Sequence, residues 1–330
     1  MSRLVTIYGG SGFVGRYVAR RMAKEGWRVR VAVRRPNEAL FVRTYGVAGQ
    51  VEPVFCNIRD DASVAMAMHG AEAVVNCVGV LNEVGRNGFQ AVHAEGAGRI
   101  ARLAGEQGVA RMVHVSAIGA DANSDSEYAR TKALGEDAVL AHMPDAVILR
   151  PSVVFGAEDR FFNRFAAMTR LGPVLPIVGG ETRFQPVFVD DVARAAAMAA
   201  LGRAAPGVYE LGGPEIATLR ELMKRMLEVI HRNRLVMNLP FGIARIMAFG
   251  FDMMQVMSFG MITNGVLTRD QVRNLAHDNV VAEGAGGFGD LGIIPTAMQS
   301  VLPDYLWRFR PSGQYDEITQ SARNLRTDQL

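Results

Sequence analysis

The sequence predicts an α/β protein: a Rossmann-type, doubly wound parallel sheet followed by a smaller, partly helical C-terminal lobe. Three observations carry that prediction. The apolar strand Leu4-Val5-Thr6-Ile7-Tyr8 runs straight into Gly9-x-x-Gly12-x-x-Gly15, and a helical pattern (Val14, Val18, Met22) follows at once. Short apolar strands then alternate with helical patterns as far as Arg150, the rhythm of βαβ units and a parallel sheet. From Pro151 onward strands become sparse and helices dominate.

Each element has a local reason. At the first turn glycine can take φ > 0 and lets a ligand approach the backbone. The unpaired N–H groups that open the following helix, with its dipole, favour an anion. Strand, turn and helix together are the context a dinucleotide-binding motif requires, so a pyrophosphate is expected on Gly9, Ser11, Gly12, Phe13 and Val14. The alternative is an ordinary βα turn. Arg28 to Val33 reads as the second strand and Val51 to Phe55 as the third, followed by a helix carrying Val64, Met66 and Met68. Ala73 to Val78 is the fourth strand, Phe89 to Gln107 a helix, Arg111 to Ser116 the fifth strand, Ser126 to His142 a helix and Ala146 to Arg150 the sixth strand. Ligands of such a sheet sit at the carboxyl ends of its strands. In the second half, helices are expected at Arg160 to Arg170, Asp191 to Leu201 and Thr218 to His231, with short strands at Val187 to Val189 and Val208 to Leu211. Thr218 reads as an N-cap, with Glu221 completing a capping box.

At 330 residues the chain is long enough for one large domain or two smaller ones. The division expected is 1–150 for the nucleotide-binding domain, 151–310 for a lobe assembled from 151–235 and a Met-rich stretch at 240–262, and 311–330 for an extended polar tail. A net charge of +3 permits contact with an anionic surface but does not argue for nucleic acid. Cys56 and Cys77 form no C-x-x-C pair, which fits burial in a reducing compartment. The six histidines show no metal-ligand spacing, so no metal is expected. The first strand begins by Leu4, which leaves no room for a targeting segment and suggests a chain made and kept in the cytosol, most simply of a bacterium.

Two further features carry chemistry. A chain selecting NAD places an acidic residue after strand two, about 20 residues beyond the glycines, for the ribose 2′-OH. Arg34 and Arg35 stand there instead, and a guanidinium suits a 2′-phosphate, so NADP(H) is expected. The alternative is that both are solvated loop arginines. Tyr128-x-x-x-Lys132 puts a phenol and an ammonium on one helical face. An ammonium beside the phenol is expected to lower the tyrosine pKa, so that it exchanges a proton with a carbonyl or alcohol while hydride moves to or from nicotinamide. Lys132 can also bind the nicotinamide ribose.

Taken in order, Gly9-x-x-Gly12-Phe13-x-Gly15, Asn57-Ile58-Arg59-Asp60, Tyr128-x-x-x-Lys132, Leu149-Arg150-Pro151-Ser152 and Val189-Asp190-Asp191-Val192 resemble the short-chain dehydrogenase/reductase superfamily in its extended or atypical branch. The resemblance implies that Asn57 and Ile58 lie by the adenine, Val78 and Gly79 near the pyrophosphate or ribose, and Pro151 beside the nicotinamide. Within that branch the chain is similar over nearly its whole length to the nucleotide-binding accessory subunit of respiratory complex I, NADH:ubiquinone oxidoreductase. Tyr8 to Gly15, Val113-His-Val-Ser116, Tyr128 to Glu136, Gln185 to Val192 and, most specifically, Phe155-Gly-x-Glu-Asp-Arg-Phe-x-Asn163 carry that likeness. It implies a tightly held NADPH with a structural role. One departure from the reductases agrees: Ser116 fills the first, structural place after strand five, and Ala117 fills the place of the catalytic serine. Losing such a preorganised donor costs on the order of 10²–10³ in rate.

The stretch from Pro240 to Ile262 is rich in Met and Phe, with only Arg245 and Asp252 charged. It reads either as a buried core helix or as a surface for a partner subunit or the membrane interface, because methionine adapts to irregular contacts. Its glycines and central charges argue against a span. Arg225, His231, Arg232 and Arg234 just upstream can face anionic headgroups. Asp270, Asp278 and Asp290 read as solvated surface or caps. The function expected is a non-catalytic or weakly catalytic NADPH-binding subunit of complex I. It would sit peripherally on the cytoplasmic face of a bacterial inner membrane, or on the matrix side in a mitochondrion. The alternative is a free-standing NADP-dependent reductase, epimerase or dehydratase that uses Tyr128 and Lys132.

Overall fold

The structure, a computed structural model, describes residues 3–83, 85–257 and 268–315. The first half alternates as the sequence predicts: β1 (Leu4–Tyr8), α1 (Phe13–Lys24), β2 (Arg28–Val33), a 3₁₀ segment (Pro36–Tyr45), β3 (Val51–Phe55), α2 (Asp61–Met68), β4 (Ala73–Asn76), a π turn (Gln90–Ala94) leading into α3 (Glu95–Glu106), β5 (Arg111–Val115), α4 (Glu127–His142) and β6 (Val147–Pro151). The second half holds more strand than its composition suggests: β7 (Val154–Phe155), α5 (Phe162–Met168), β8 (Val174–Val178), β9 (Arg183–Phe184), β10 (Val187–Phe188), α6 (Val189–Ala200), β11 (Gly207–Leu211), β12 (Ala217–Thr218), α7 (Leu219–Val229), β13 (Leu235–Leu239), α8 (Phe241–Met257), α9 (Arg269–Asn274) and α10 (Leu302–Leu306). Of the extra strands, β7, β9 and β12 are two residues long, too short for an alternating pattern to declare them.

Seven strands form one parallel sheet in the order β11-β6-β5-β4-β1-β2-β3. Both faces are covered. Val5, Ile7, Val29 and Val31 pack with α1 and the alanine-rich α6 on one side, and Tyr8, Val74, Met112 and Ile148 pack with α2, α3 and α4 on the other. The sheet does not close at residue 150. Its seventh strand, β11, returns from the second half and pairs with β6 from Gly207↔Val147 to Leu211↔Pro151. The physical reason is that β6 would otherwise be an apolar edge strand.

The remaining elements form a second core around Phe155, Phe162, Leu175, Leu222, Met226, Leu302 and Leu306. Thr218 caps α7 in a capping box with Glu221, as expected. The Phe155–Asn163 stretch joins this lobe to the sheet. Asp159 is buried and accepts from the N–H groups of Gly156, Phe161 and Asn163 and from the Tyr305 hydroxyl at 2.6 Å. Its neighbour Glu158 reaches the other way, to Arg16 and Tyr17 on α1.

Along α8, Ala244 and Ala248 face inward, with Phe241 half-buried at its start. Ala244 and Ala248 are fully buried against Val178 and Val272, while Ile243, Ile246, Met247, Phe249 and Met253 are 42–74% exposed. Those five large apolar side chains of the helix point away from the protein. Phe259, Met261 and the tail from residue 316 lie outside the described residues. Among the described residues no helix is long and apolar enough to cross a membrane.

Candidate functional site: a glycine loop facing a buried lysine

The carboxyl ends of β1 and β4 meet at the glycine loop. Gly9 has φ +72°, a conformation that disfavours any residue with a Cβ. Its N–H donates to the Ala32 carbonyl of β2 at 3.0 Å, and its carbonyl accepts from Gly12 at 2.9 Å. Gly15 is required by contact: a Cβ there would stand 2.7 Å from the Gly10 Cα and collide with the Gly9 carbonyl. The result is a tight turn held against the first turn of α1. The N–H groups of Ser11, Phe13 and Val14 find no acceptor among the described residues, and no acidic side chain occupies the first turn of α1. These groups form an anion-binding helix start. Arg16 reinforces the loop from outside, donating to the Ser11 carbonyl at 3.0 Å and the Gly12 carbonyl at 3.3 Å.

The residues expected around the rest of a dinucleotide line the same edge. Arg34 and Arg35 follow β2, both exposed. Arg35 is paired with Glu38 at 2.9 Å, whereas Arg34 has no carboxylate partner among the described residues. Asn57 and Ile58 follow β3, half-buried. The Asn57 side chain accepts from the Arg59 N–H, and the Ile58 carbonyl accepts from Arg99 at 3.0 Å. Val78 packs against the Gly9 position, and Gly79 beyond it is exposed. Pro151 ends β6, with its carbonyl bonded to the Ile118 N–H.

α4 brings up the other wall. Ser126 caps it, and Asp270 of α9 caps it again from outside, accepting from the Ser126 hydroxyl at 2.9 Å and from the N–H groups of Glu127 at 2.7 Å and Tyr128 at 3.2 Å. Asp270 is thus a cap, one of the two readings the sequence allowed, but for a helix 142 residues away. Lys132 is buried, and its Nζ donates to the Val115 carbonyl at 3.1 Å. Burial pushes its pKa down to about 8 against the opposing pull of Glu136. A Cβ on Gly79 would lie 3.5 Å from this Nζ, so the lysine stands directly across from the open end of β4.

Tyr128 departs from expectation. Its pKa is raised to about 12, by burial and then by the nearby Asp270 carboxylate; Lys132 does not lower it. The ring lies edge-on to Phe89 and His93, and the lysine is drawn to a backbone carbonyl instead. Ser116 is buried, its hydroxyl without a partner among the described residues, and Ala117 beside it is half-buried.

Sequence reasoning missed two histidines in this wall. His93, from the π turn, accepts from the Val80 N–H at its Nε2 (3.1 Å) and faces the Thr131 hydroxyl at its Nδ1 (3.2 Å). His114 of β5 meets Asn76 at 3.1 Å through Nδ1, and Asn76 in turn accepts from the Val78 N–H. That network assigns the His114 proton to Nε2, where it has no partner among the described residues. Burial, and then the charge of Lys132, lower both pKa values to about 3. His114 stands within a stretch that carries the family likeness, but nothing in its spacing announces a contact with β4.

A glycine turn on a parallel sheet, faced by Tyr-x-x-x-Lys from the helix after β5, defines a nucleotide-binding protein of the short-chain dehydrogenase/reductase kind. The chain belongs to the NAD dependent epimerase/dehydratase family, which it matches over residues 5–212. It is similar to the mitochondrial NADH dehydrogenase [ubiquinone] 1 alpha subcomplex subunit 9 of Arabidopsis thaliana, at 35% identity over 94% of this chain and 79% of that protein. It is also similar to the ceramide reductase of Caulobacter vibrioides, at 34% identity over 58% of each chain. Among solved structures, the dTDP-glucose 4,6-dehydratase DesIV of Streptomyces venezuelae, with NAD and TYD bound, superposes at TM-score 0.69. The alignment covers 95% of this chain and 97% of that one at 21% identity, a likeness of fold.

Proposed function

We propose that this chain is a non-catalytic or weakly catalytic accessory subunit of respiratory complex I that binds a nicotinamide nucleotide and stabilises the peripheral arm near the membrane. The observation that carries this reading is the likeness to subunit 9 over 94% of the chain, because it includes the second lobe and not only the widely shared nucleotide-binding half. The residues fit a nucleotide. Free N–H groups at Ser11, Phe13 and Val14 suit the pyrophosphate, and Asn57 and Ile58 the adenine. Lys132 is a buried ammonium with one hydrogen-bond acceptor among the described residues, and the ribose hydroxyls would supply more. Val78 and Gly79 would lie near the pyrophosphate or ribose, and Tyr128 and Pro151 beside the nicotinamide. Arg34, exposed and without a carboxylate partner among the described residues, supports NADP(H) over NAD(H); Arg35 contributes less because Glu38 engages it.

When bound, the nicotinamide supplies a hydride donor or acceptor. The chain's own residues are poorly set to use it: Ala117 offers no hydroxyl and Ser116 is buried. A tightly held nucleotide would act instead as a strut, adding stability by mass action because only the folded state binds it. The outward apolar side of α8 supports a contact with a partner subunit or the membrane interface. The site proposed is the cytoplasmic face of a bacterial inner membrane, or the matrix side in a mitochondrion.

The test is a native gel of membranes solubilised in mild detergent, probed for this chain. Comigration with the NADH dehydrogenase band is expected. Migration near the chain's own mass would overturn the reading in favour of a free reductase. The intact Tyr128–Lys132 pair and the partial likeness to a ceramide reductase support that rival. Steady NADPH oxidation that is lost in Tyr128→Phe would establish it.

A further inference from the structure

We infer that His93 is a positioning residue: it fixes the Gly79–Val80 loop after β4 against Lys132 and Tyr128, and so shapes the nicotinamide-side half of the site without touching the adenosine half. Three pieces of chain meet at this one side chain, which is 1% exposed. The loop after β4 donates the Val80 N–H to Nε2 at 3.1 Å. With Nε2 an acceptor, the neutral ring carries its proton on Nδ1 and donates it to the Thr131 hydroxyl at 3.2 Å. That hydroxyl donates onward to the Glu127 carbonyl at 2.9 Å, inside the first turn of α4. The ring also stacks on Phe89 at 5.4 Å and meets Tyr128 edge-on at 5.3 Å. His93 is therefore a rigid link between the β4 loop and the helix bearing Tyr128 and Lys132.

The backbone is arranged to allow this. His93 sits in the π turn at Gln90–Ala94, a wide turn that regular helix geometry disfavours and that marks functional positions in other proteins. The turn presses its backbone onto α4 so closely that a Cβ at Gly135 would collide with the His93 carbonyl. A Cβ at Gly79 would lie 3.8 Å from the His93 Nε2 and 3.5 Å from the Lys132 Nζ, so the imidazole and the ammonium face the same open glycine. A second link runs parallel to the first, in which Asn76, held by His114, accepts from the Val78 N–H. The N–H groups on both sides of Gly79 are thus tied down by side chains, and that segment's position is set before any ligand arrives.

This inference rests on the nucleotide-binding reading, and the experiment separates the two. Affinities for NADPH and for 2′,5′-ADP, which carries the adenosine half alone, are measured on the full chain by calorimetry, together with hydrogen exchange at the Val80 amide without ligand. His93→Ala is expected to weaken NADPH about tenfold, the effect of one lost buried hydrogen bond, and to leave 2′,5′-ADP within about twofold. Val80 exchange should rise while β4 stays protected. His93→Gln, whose amide can accept from Val80 and donate to Thr131, should restore both readouts. Should His93→Ala not fold, Thr131→Val cuts the same link on its other side and should show the same selective loss, smaller in size. Equal weakening of both ligands, or unchanged NADPH affinity, overturns the inference alone. A wild-type chain that binds neither nucleotide overturns the nucleotide-binding reading and the inference with it.

Discussion

Arg16 and Glu158 join the two lobes at 3.1 Å, and the same arginine holds the Ser11 and Gly12 carbonyls of the glycine loop. A residue 142 positions downstream in the chain thereby steadies the turn on which a pyrophosphate would rest. Glu158 also accepts from the Tyr17 hydroxyl at 3.0 Å. Because the pair is partly exposed, its contribution to stability is small. Glu158→Ala should lower the unfolding free energy by no more than about 1 kcal/mol in urea titration, while NADPH affinity falls as the loop loses its brace.

Gly15→Ala should be far more severe. The new Cβ meets backbone atoms of Gly9 and Gly10, which cannot yield as a side-chain end would. A loss of about 1–3 kcal/mol in unfolding free energy is expected, with nucleotide binding abolished. Calorimetric titration and thermal unfolding of the same sample would check both.

Arg34→Asp should shift the ratio of NADPH to NADH affinity toward NADH by roughly ten- to a hundredfold, the range of one charge-assisted hydrogen bond. Arg35→Asp should shift it less, since Glu38 already occupies that guanidinium. Equal effects from the two substitutions would contradict this assignment of strand two.

His93 and His114 give stability a defined acid limb. Their folded pKa values, about 3, lie below the ordinary imidazole value of 6.5. Between those values the unfolded chain binds protons that the folded chain does not. Stability should therefore fall as pH drops from about 6.5 toward 3, by up to about 1.4 kcal/mol per pH unit for each histidine. His114→Gln should flatten that limb by about half in urea titrations at successive pH. Lys132 works at the other end. Its pKa is lowered from 10.5 to about 8, so stability should rise with pH across that interval, and Lys132→Met should remove the rise.

Asp270→Ala should expose the start of α4. Two N–H groups and the Ser126 hydroxyl lose their shared acceptor, at a cost of about 1–2 kcal/mol in unfolding free energy. Ser126→Ala should cost less, because Asp270 remains in place to accept from the helix start.

Local pattern alone placed the first six strands, the glycine turn and the helix bearing Tyr128 and Lys132, because each is written in contiguous residues: an apolar run, a glycine triplet, a spacing of four. Arg34 and Arg35 were legible for the same reason, since they follow directly on β2. Tertiary structure decided whatever depended on a partner distant in sequence. β11 joined a sheet whose other strands end at residue 151, Asp270 became the cap of α4, and two histidines were recruited to hold the β4 loop. It also reversed the reading of Tyr128. Spacing showed that an ammonium lay four residues away, but only packing could show that burial and an aspartate raise the phenol's pKa while the ammonium turns to the Val115 carbonyl. Sequence fixes which side chains share a face, whereas desolvation and long-range hydrogen bonds exist only once that face is covered.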